Sequence, residues 1–231
     1  MLIGVSGLIS SGKDTIGECF QALDCWHNEY ACNLLEFQDY DDIEFCKSIL
    51  EGNFEKIYKG ISSWEIKKFA TKLKQMTAIL FDCNAEDFES IEFKNTPLPP
   101  EWQIEGEETR TYRHALLDIG TKCIRNNYNN NAWVISALGQ YKPGKYSYGR
   151  VSYPKWIITD VRFLNEINAI KERGGYMIRV DRGKLSINHP SEIEWQSYED
   201  WDFIVDNSGD YKNLIRQVKS IMMKLDLFRK K

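Results

Sequence analysis

The sequence lacks the features that would assign it to a membrane, to the cell exterior or to nucleic acid. No apolar run reaches the roughly 20 residues that a membrane-spanning helix needs. The formal net charge of −4 provides no overall positive field for binding nucleic acid. Met1 leads directly into an apolar segment with no basic region or cleavage signal, which predicts a cytoplasmic protein without a secretory leader.

The cysteines also lack the spacing of a metal or disulfide framework. There are 6 of them, no two form a CxxC pair, and none belongs to a Cys/His zinc pattern. A chain of 231 residues with a core of its own has little need of disulfides. We interpret the cysteines as reduced thiols that serve mostly as small buried hydrophobic residues.

The sequence alternates short apolar runs, typical of strands, with longer segments in which apolar residues recur at helical spacing. Of all its residues, 42% are hydrophobic. This alternation predicts an α/β fold with a parallel, doubly wound sheet. The predicted strands are Leu2–Ser6, Asn33–Phe37, Trp156–Asp160, Tyr176–Val180 and Asp202–Asp206. The predicted helices are 13–22, 63–81 with Ser62 or Ser63 as N-cap, 112–126, 163–173 and 211–225.

The remaining segments suggest additions to one domain that spans residues 1–231. The acidic and aromatic stretch at 24–64 is interpreted as an insertion. Residues 95–110 are rich in proline and charge, and residues 140–154 in tyrosine, glycine and lysine. The first is predicted to be a loop and the second a long loop or small hairpin, and both are candidate lids.

A phosphate-binding loop is predicted directly after the first strand. Gly7 to Thr15 reads GLISSGKDT, which matches G-x-x-x-x-G-K with Asp14 where serine or threonine usually stands. Glycines let successive backbone N–H groups converge on an anion, and the following helix adds its positive N-terminus. Lys13 would reach the β and γ phosphates, and Thr15, or less readily Asp14, would face Mg²⁺. The alternative, an ordinary Gly/Ser turn, fits the strand and helix context less well.

Three further polar residues follow a predicted strand in the second half. Asp160, Arg162 and Glu166 come just after the carboxyl end of the strand at 156–160, where ligands of such sheets bind. Arg162 offers a bidentate fork to a phosphate, and the carboxylates can accept hydrogen bonds from a base or a sugar. A helix-capping aspartate beside a surface arginine explains the same residues equally well.

The chain resembles the phage-type deoxynucleoside monophosphate kinases, a branch of the P-loop nucleotide kinases. The matching segments occur in the family's order and cover most of the chain. They are SGLISSGKDT, FATKLKQMTAILF, RHALLDIGTKCIRNN, NAWV, IITDVRFLNEINAIKERGGYMIRVDR, HPSE and DFIVDNSGDYKNLI. The resemblance implies a three-layer P-loop NTPase fold with a central parallel five-stranded sheet. It also implies ATP-dependent phosphorylation of a (deoxy)nucleoside monophosphate to the diphosphate, supplying DNA precursors, in the host cytoplasm if the protein is viral.

The resemblance implies roles for individual residues, with ATP as donor and Mg²⁺ as cofactor. Those expected to hold ATP are Gly7, Ser10, Ser11, Gly12, Lys13, Asp14, Thr15 and, beside the adenine, Arg182. Those expected around the acceptor are Lys74, Lys94, Arg113, Thr121, Lys122, Trp133, Asp160, Arg162 and Glu166. Lys13, Arg113 and Arg162 are the expected catalytic residues, and Thr15 is the candidate metal ligand.

Several alternatives stay open on the sequence alone. Trp133 fits core packing as well as ligand binding, and Lys74 fits a solvated helix face. The scaffold also suits a kinase for phosphomevalonate or dephospho-coenzyme A, or a regulatory protein that binds nucleotide without transferring phosphate. The accepted base is not readable, and the closing helix at 211–225 leaves open a monomer or a homodimer.

Overall fold

The computed structural model describes residues 1–27, 40–52, 62–106, 108–145, 151–183 and 194–228, without the side chains of residues 145, 151 and 194. It divides into two compact units. Unit 1 comprises Met1–Lys68 with Tyr141–Lys231, and unit 2 is Phe69–Gln140. The single domain with an insertion at 24–64 and lids at 95–110 and 140–154 stays a prediction, and part of that insertion lies outside the described residues.

Unit 1 is built around a sheet of five strands that run parallel. Its order is β2-β5-β1-β6-β7, and every neighbouring pair is parallel. A separate antiparallel pair, β3 with β4, lies within 140–154, where a loop or hairpin was predicted. The strands are β1 (Leu2–Gly7), β2 (Trp64–Lys67), β3 (Gly144–Lys145), β4 (Val151–Ser152), β5 (Lys155–Val161), β6 (Tyr176–Asp181) and β7 (Phe203–Asp206).

Helices cover both faces of this sheet. Ile3 and Val5 of β1 belong to the core formed with α1, α2 and α8, whereas Gly4 points to the opposite face. A Cβ on Gly4 would lie 2.7 Å from Cδ1 of Ile170 in α7. The described helices of unit 1 are α1 (Lys13–His27), α2 (Asp42–Leu50), α7 (Leu164–Lys171) and α8 (Tyr211–Lys224). Those of unit 2 are α3 (Thr71–Phe81), α4 (Ile91–Asn95), α5 (Tyr112–Leu117) and α6 (Ala132–Leu138). The predicted three-layer α/β fold with a central parallel five-stranded sheet is therefore confirmed.

The carboxyl ends of the parallel strands lie at one edge of the sheet, and β5 contains an irregularity there. Gly4 pairs with Ile158, but Ser6 pairs with Val161, so β5 has one more residue than β1 between these pairs. Such a bulge changes the direction of the side chains that follow it. It lies in the segment that carries Asp160, immediately before the predicted acceptor residues.

The prediction of a helix over 63–81 with a serine cap is wrong in its first part. Residues Trp64–Lys67 form β2, an edge strand paired with β5, and the helix begins only at Thr71. The hydroxyls of Ser62 and Ser63 donate to the buried carboxylate of Asp24 instead of capping a helix. A partner 38 residues earlier in the chain therefore fixes this segment as extended.

The other predicted elements agree with the structure within a few residues, except where the chain is not described. The strand expected at 33–37 lies outside the described residues, and β2 takes the fifth place in the sheet. The first helix continues to His27 instead of ending at Ala22, and α2 was not predicted. Among the described helices, none combines the length and apolar character needed to cross a bilayer.

Unit 2 is helical in its described part and has an aromatic core. Phe88 is fully buried, and its ring packs edge-on against Phe93 and Tyr112. The helix predicted at 112–126 is α5 followed by a π-helical segment, Asp118–Asn126. π-helical turns are rare and occur frequently at functional sites.

Candidate functional site

The predicted phosphate loop connects β1 to α1, and its backbone contains two residues with left-handed φ. Ser10 has φ = +63° and Gly12 has φ = +95°, both in the left-handed region. The carbonyl of Leu8 accepts a hydrogen bond from the N–H of Ser11 at 3.1 Å, which closes a tight turn. The carbonyl of Gly12 accepts from the N–H of Ile16 at 3.1 Å, so the loop runs directly into α1.

Lys13 is folded back over this loop. Its ammonium donates to the carbonyl oxygens of Gly7 at 2.8 Å and Leu8 at 2.7 Å. The positive charge of Lys13 is therefore held beside the first two residues of the loop, near the N-terminus of α1. To bind a phosphate, Lys13 would exchange one or both carbonyls for phosphate oxygens.

Two side chains from the ends of other strands hold two further carbonyls of the loop, those of Ser10 and Ser11. Nη1 of Arg182, after β6, donates to the carbonyl of Ser10 at 2.8 Å. Nδ2 of Asn207, after β7, donates to the carbonyl of Ser11 at 2.7 Å. Arg182 thus contacts the loop itself, whereas its expected position beside an adenine stays a prediction.

The donor groups of this loop suit the phosphates of a nucleotide. A Cβ on Gly12 would collide with Nδ2 of Asn207, and a Cβ on Gly7 would lie 2.6 Å from the carbonyl oxygen of Val180. Both positions therefore require glycine. The hydroxyl of Ser11 is buried, and no acceptor for it is present in the described part of the chain. Backbone N–H groups, a lysine ammonium and a helix N-terminus are the groups that bind polyphosphates elsewhere.

Asp14 is engaged on both of its carboxylate oxygens. Oδ1 accepts a short hydrogen bond from the hydroxyl of Thr159 in β5, and Oδ2 lies 3.1 Å from Nζ of Lys68. Thr15 follows in the first turn of α1 and is half-buried. Within the described ranges, no group of three or more His, Cys, Asp or Glu side chains could hold a metal ion. A Mg²⁺ ion here would depend largely on phosphate oxygens and water, which is usual for this ion.

Asp160 near the end of β5, and Arg162 and Glu166 after it, have different surroundings. Glu166 is buried, and its Oε2 accepts from the backbone N–H groups of Arg162 at 2.8 Å and Phe163 at 3.2 Å. This carboxylate therefore holds the start of α7 and acts on the position of Arg162 through the backbone. Asp160 and Arg162 are half-buried at the same sheet edge as the phosphate loop.

In unit 2, two of the predicted acceptor cations are held by polar partners within that unit. Nζ of Lys74 in α3 lies 2.6 Å from the carboxylate of Glu89. Nε of Arg113 in α5 donates to Oδ1 of Asn95 at 3.0 Å, next to Lys94 in α4. The structure thus brings Arg113 close to the helix that carries Lys94.

The other predicted residues of unit 2 lie on or against the π-helical segment. Thr121 and Lys122 belong to it, and Lys122 is 73% exposed with its ammonium 2.7 Å from Asp118. Trp133 is buried, and its indole N–H donates to the carbonyl of Gly120 at 3.0 Å. The packing alternative for Trp133 therefore has direct structural support, and its role around an acceptor stays a prediction.

Sequence reasoning missed several residues that contact the loop or start a helix. The sequence could have indicated Thr159 and Asn207 as candidate site residues, since each lies at or just after the carboxyl end of a predicted parallel strand. It gave no such indication for Lys68, because the segment that forms β2 was predicted as helix. His114 had no predicted role, and its Nδ1 accepts from the backbone N–H of Thr111 at 3.0 Å, which caps α5.

Comparison with known proteins gives one partial similarity. No family profile matches the chain. A segment of 66 residues is 39% identical to a protein of Acanthamoeba polyphaga mimivirus named "Putative deoxynucleotide monophosphate kinase". The match covers 28% of this chain and 34% of that protein, so the chain spans about a third of the relative's length. Part of the chain is thus similar to a protein with a kinase name.

Proposed function

We propose that the chain transfers the γ-phosphoryl group of ATP to a (deoxy)nucleoside monophosphate and forms the diphosphate. The observation that carries the proposal is the loop, where Lys13, Arg182 and Asn207 together hold four of its carbonyls, those of Gly7, Leu8, Ser10 and Ser11. The backbone runs through two residues with left-handed φ. The partial similarity to a viral protein with a nucleotide kinase name supports the class of reaction.

The donor side is assigned to the phosphate loop. Its N–H groups and the N-terminus of α1 would bind the β and γ phosphates, and Lys13 would neutralise charge that develops during transfer. Thr15 is the residue proposed to face a bound Mg²⁺, since both oxygens of Asp14 already have protein partners. The metal, when bound, would neutralise phosphate charge.

The acceptor side needs cations more than it needs a base. A phosphate monoester oxygen is already a competent nucleophile, and the main obstacle is repulsion between two anions that must be aligned. In unit 1 this role is assigned to Arg162, with Asp160 and Glu166 beside it. In unit 2 the assignments of Lys74, Lys94, Arg113, Thr121, Lys122 and Trp133 are kept as predictions.

The test is acceptor-dependent ADP release, measured with ATP and Mg²⁺ across all common nucleoside monophosphates in ribose and deoxyribose forms. Phosphomevalonate and dephospho-coenzyme A are included as acceptors. We expect turnover with at least one nucleotide, and we expect Lys13→Ala to lower it by roughly 100- to 1000-fold. The matched control is Lys67→Ala, because Lys67 pairs with Glu65 at 2.7 Å and does not contact the loop.

The panel also separates the alternatives. Turnover only with phosphomevalonate or dephospho-coenzyme A would replace the acceptor class and keep the kinase. ATP binding with no acceptor-dependent release would indicate a regulatory nucleotide-binding protein. Near-normal turnover in Lys13→Ala would show that the donor site is elsewhere.

A further inference from the structure

The side chain of Asn207 connects the last strand of the sheet to the phosphate loop. Its Nδ2 donates to the carbonyl of Ser11 at 2.7 Å, across 196 residues of sequence. Its own backbone N–H donates to the carbonyl of Asp181 at 2.7 Å, which fixes Asn207 to the end of β6. The amide is therefore anchored at its backbone and directed at the loop.

This hydrogen bond determines the orientation of one peptide group. In a trans peptide the C=O of one residue and the N–H of the next point in opposite directions. Because Asn207 holds the Ser11 carbonyl on its own side, the N–H of Gly12 is directed away from Asn207. The Gly12 carbonyl is fixed separately, since it accepts from the N–H of Ile16 in α1.

The contact made by Arg182 has a different consequence. Arg182 holds the carbonyl of Ser10, and the N–H that follows it, on Ser11, already donates to Leu8 within the turn. Arg182 therefore supports the shape of the turn. Asn207 instead controls the N–H at the residue that precedes the P-loop lysine.

The amide of Asn207 packs tightly against the loop. Gly12 lies so close to Asn207 that a Cβ on the glycine would collide with Nδ2. The amide thus meets the loop directly, with no space for an intervening water molecule. A side chain of the same shape that could not donate would place an oxygen against the Ser11 carbonyl.

We propose that Asn207 is a positioning residue of the phosphate loop, which acts through the Ser11 carbonyl to keep the Gly12 N–H directed at the nucleotide phosphates. The inference rests on the proposed function, because it assumes that the loop binds a nucleotide. Asn207 itself touches no substrate in this scheme. Its effect is to prepare the loop before binding, so that less ordering is needed when the nucleotide arrives.

The experiment measures ADP affinity by calorimetry and the KM values for ATP and the acceptor by steady-state kinetics. The variants are Asn207→Ala and Asn207→Asp, with Asn207→Ser as a milder change if alanine folds poorly. The matched controls are Asn213→Ala and Asn213→Asp, because Asn213 is exposed in the first turn of α8 and its backbone N–H donates to Asp210. Melting temperatures are recorded for all of them.

We expect Asn207→Ala to weaken ADP binding and raise the KM for ATP by about 10-fold, as for one lost hydrogen bond, with the acceptor KM unchanged. Asn207→Asp should be weaker still at pH 7, because a carboxylate oxygen then faces a carbonyl oxygen. As the pH falls towards the ordinary aspartate pKa, the aspartate variant should approach the alanine variant, since a protonated carboxyl can donate to Ser11. The Asn213 variants should behave as wild type.

Two results would overturn the inference. One is wild-type ADP affinity and ATP KM in both Asn207 variants, which would leave the kinase proposal intact. The other is a parallel rise in both KM values with a lower melting temperature and no pH-dependent difference between the two variants, which would indicate a role in the fold. Failure of the wild-type protein to bind any nucleotide would instead overturn the proposed function, and this inference with it.

Discussion

The proposed phosphate loop of unit 1 and the basic side chains of unit 2 are organised in different ways. The loop carbonyls are held by side chains that are distant in sequence, with Asn207 196 residues from Ser11 and Arg182 172 residues from Ser10. In unit 2, Lys74 and its partner Glu89 are only 15 residues apart. The loop is thus held by residues that follow two other strands of the sheet, whereas the contacts in unit 2 join helical segments that are close in sequence.

The difference indicates how each region tolerates change. In the loop, the proposed phosphate ligands are backbone N–H groups, which no substitution removes directly. They can be altered only by changing the glycines or the side chains that hold the loop. In unit 2, the proposed ligands are lysine and arginine side chains, which can be removed one at a time. We therefore expect single changes at the loop to have large effects, and single changes in unit 2 to have smaller and more separable ones.

The largest effect is expected from Gly12→Ala. The substitution places a Cβ at φ = +95° and displaces the amide of Asn207. Backbone strain together with the lost hydrogen bond should weaken ADP binding by roughly 100-fold, as measured by calorimetry. Gly52→Ala is the control, because Gly52 has φ = +85° but no atom within 4 Å of the added Cβ. Equal ADP affinity in the two variants would contradict this account of the loop.

A smaller effect, confined to the stability of unit 2, is expected from Gly120→Ala. The added Cβ would lie 2.6 Å from Cδ2 of Leu73, and Gly120 also accepts the indole hydrogen bond of Trp133. Overpacking of this kind costs about 1–3 kcal/mol of unfolding free energy, which denaturant titration would detect. A loss of ADP affinity in Gly120→Ala without a loss of stability would contradict the separation of the two regions.

Arg113→Ala should affect the acceptor alone. Removing the guanidinium leaves α5 intact, because the cap made by His114 and Thr111 does not involve it. We expect the acceptor KM to rise by about 10-fold, as for one lost charge-assisted contact, while the ATP KM stays constant. Lys72→Ala, an exposed position on α3, provides a charge-matched control. A rise in the ATP KM would show that Arg113 belongs to the donor side.

The smallest effect is expected from Lys122→Ala. Lys122 is 73% exposed, and its pair with Asp118 is one turn apart on the surface. Such pairs contribute about 0–1 kcal/mol to stability, so the change in unfolding free energy should lie near the limit of measurement. An acceptor KM that rose as strongly as in Arg113→Ala would show that Lys122 contacts the acceptor despite its exposure.

Local patterns predicted four of the five strands of the sheet and the position of the loop between β1 and α1. The strand at the N-terminus, the glycines and Lys13 of the loop, and the strands at 156–160, 176–180 and 202–206 are all formed by short segments whose apolar or glycine pattern suffices. The segment at 63–81 was mispredicted because its first residues are extended only through Asp24 and β5. The strand pattern could have indicated that Asn207 lies at the ligand edge of the sheet, but the particular loop carbonyls that Asn207 and Arg182 contact depend on which strand ends become neighbours.

The chemistry of unit 2 was harder to predict for a different reason. The same lysine or tryptophan fits a binding site and an ordinary helix, and the sequence contains no signal that separates the two. Trp133 illustrates this, since its indole is buried and bonded to Gly120 within the unit. The π-helical geometry of Asp118–Asn126 also leaves no local sequence signature, because it depends on how the segment packs.

The extra residue in β5 has a consequence for how this protein can vary. Removing one residue between Ile158 and Val161 would remove the bulge and leave Val161 opposite Ser6 in regular pairing. The deletion would take away either Thr159, whose hydroxyl donates to Asp14, or Asp160, because regular pairing has room for only one of them. Length at this point of the chain is therefore as strongly constrained as residue identity, and natural variants should substitute here far more readily than they gain or lose a residue.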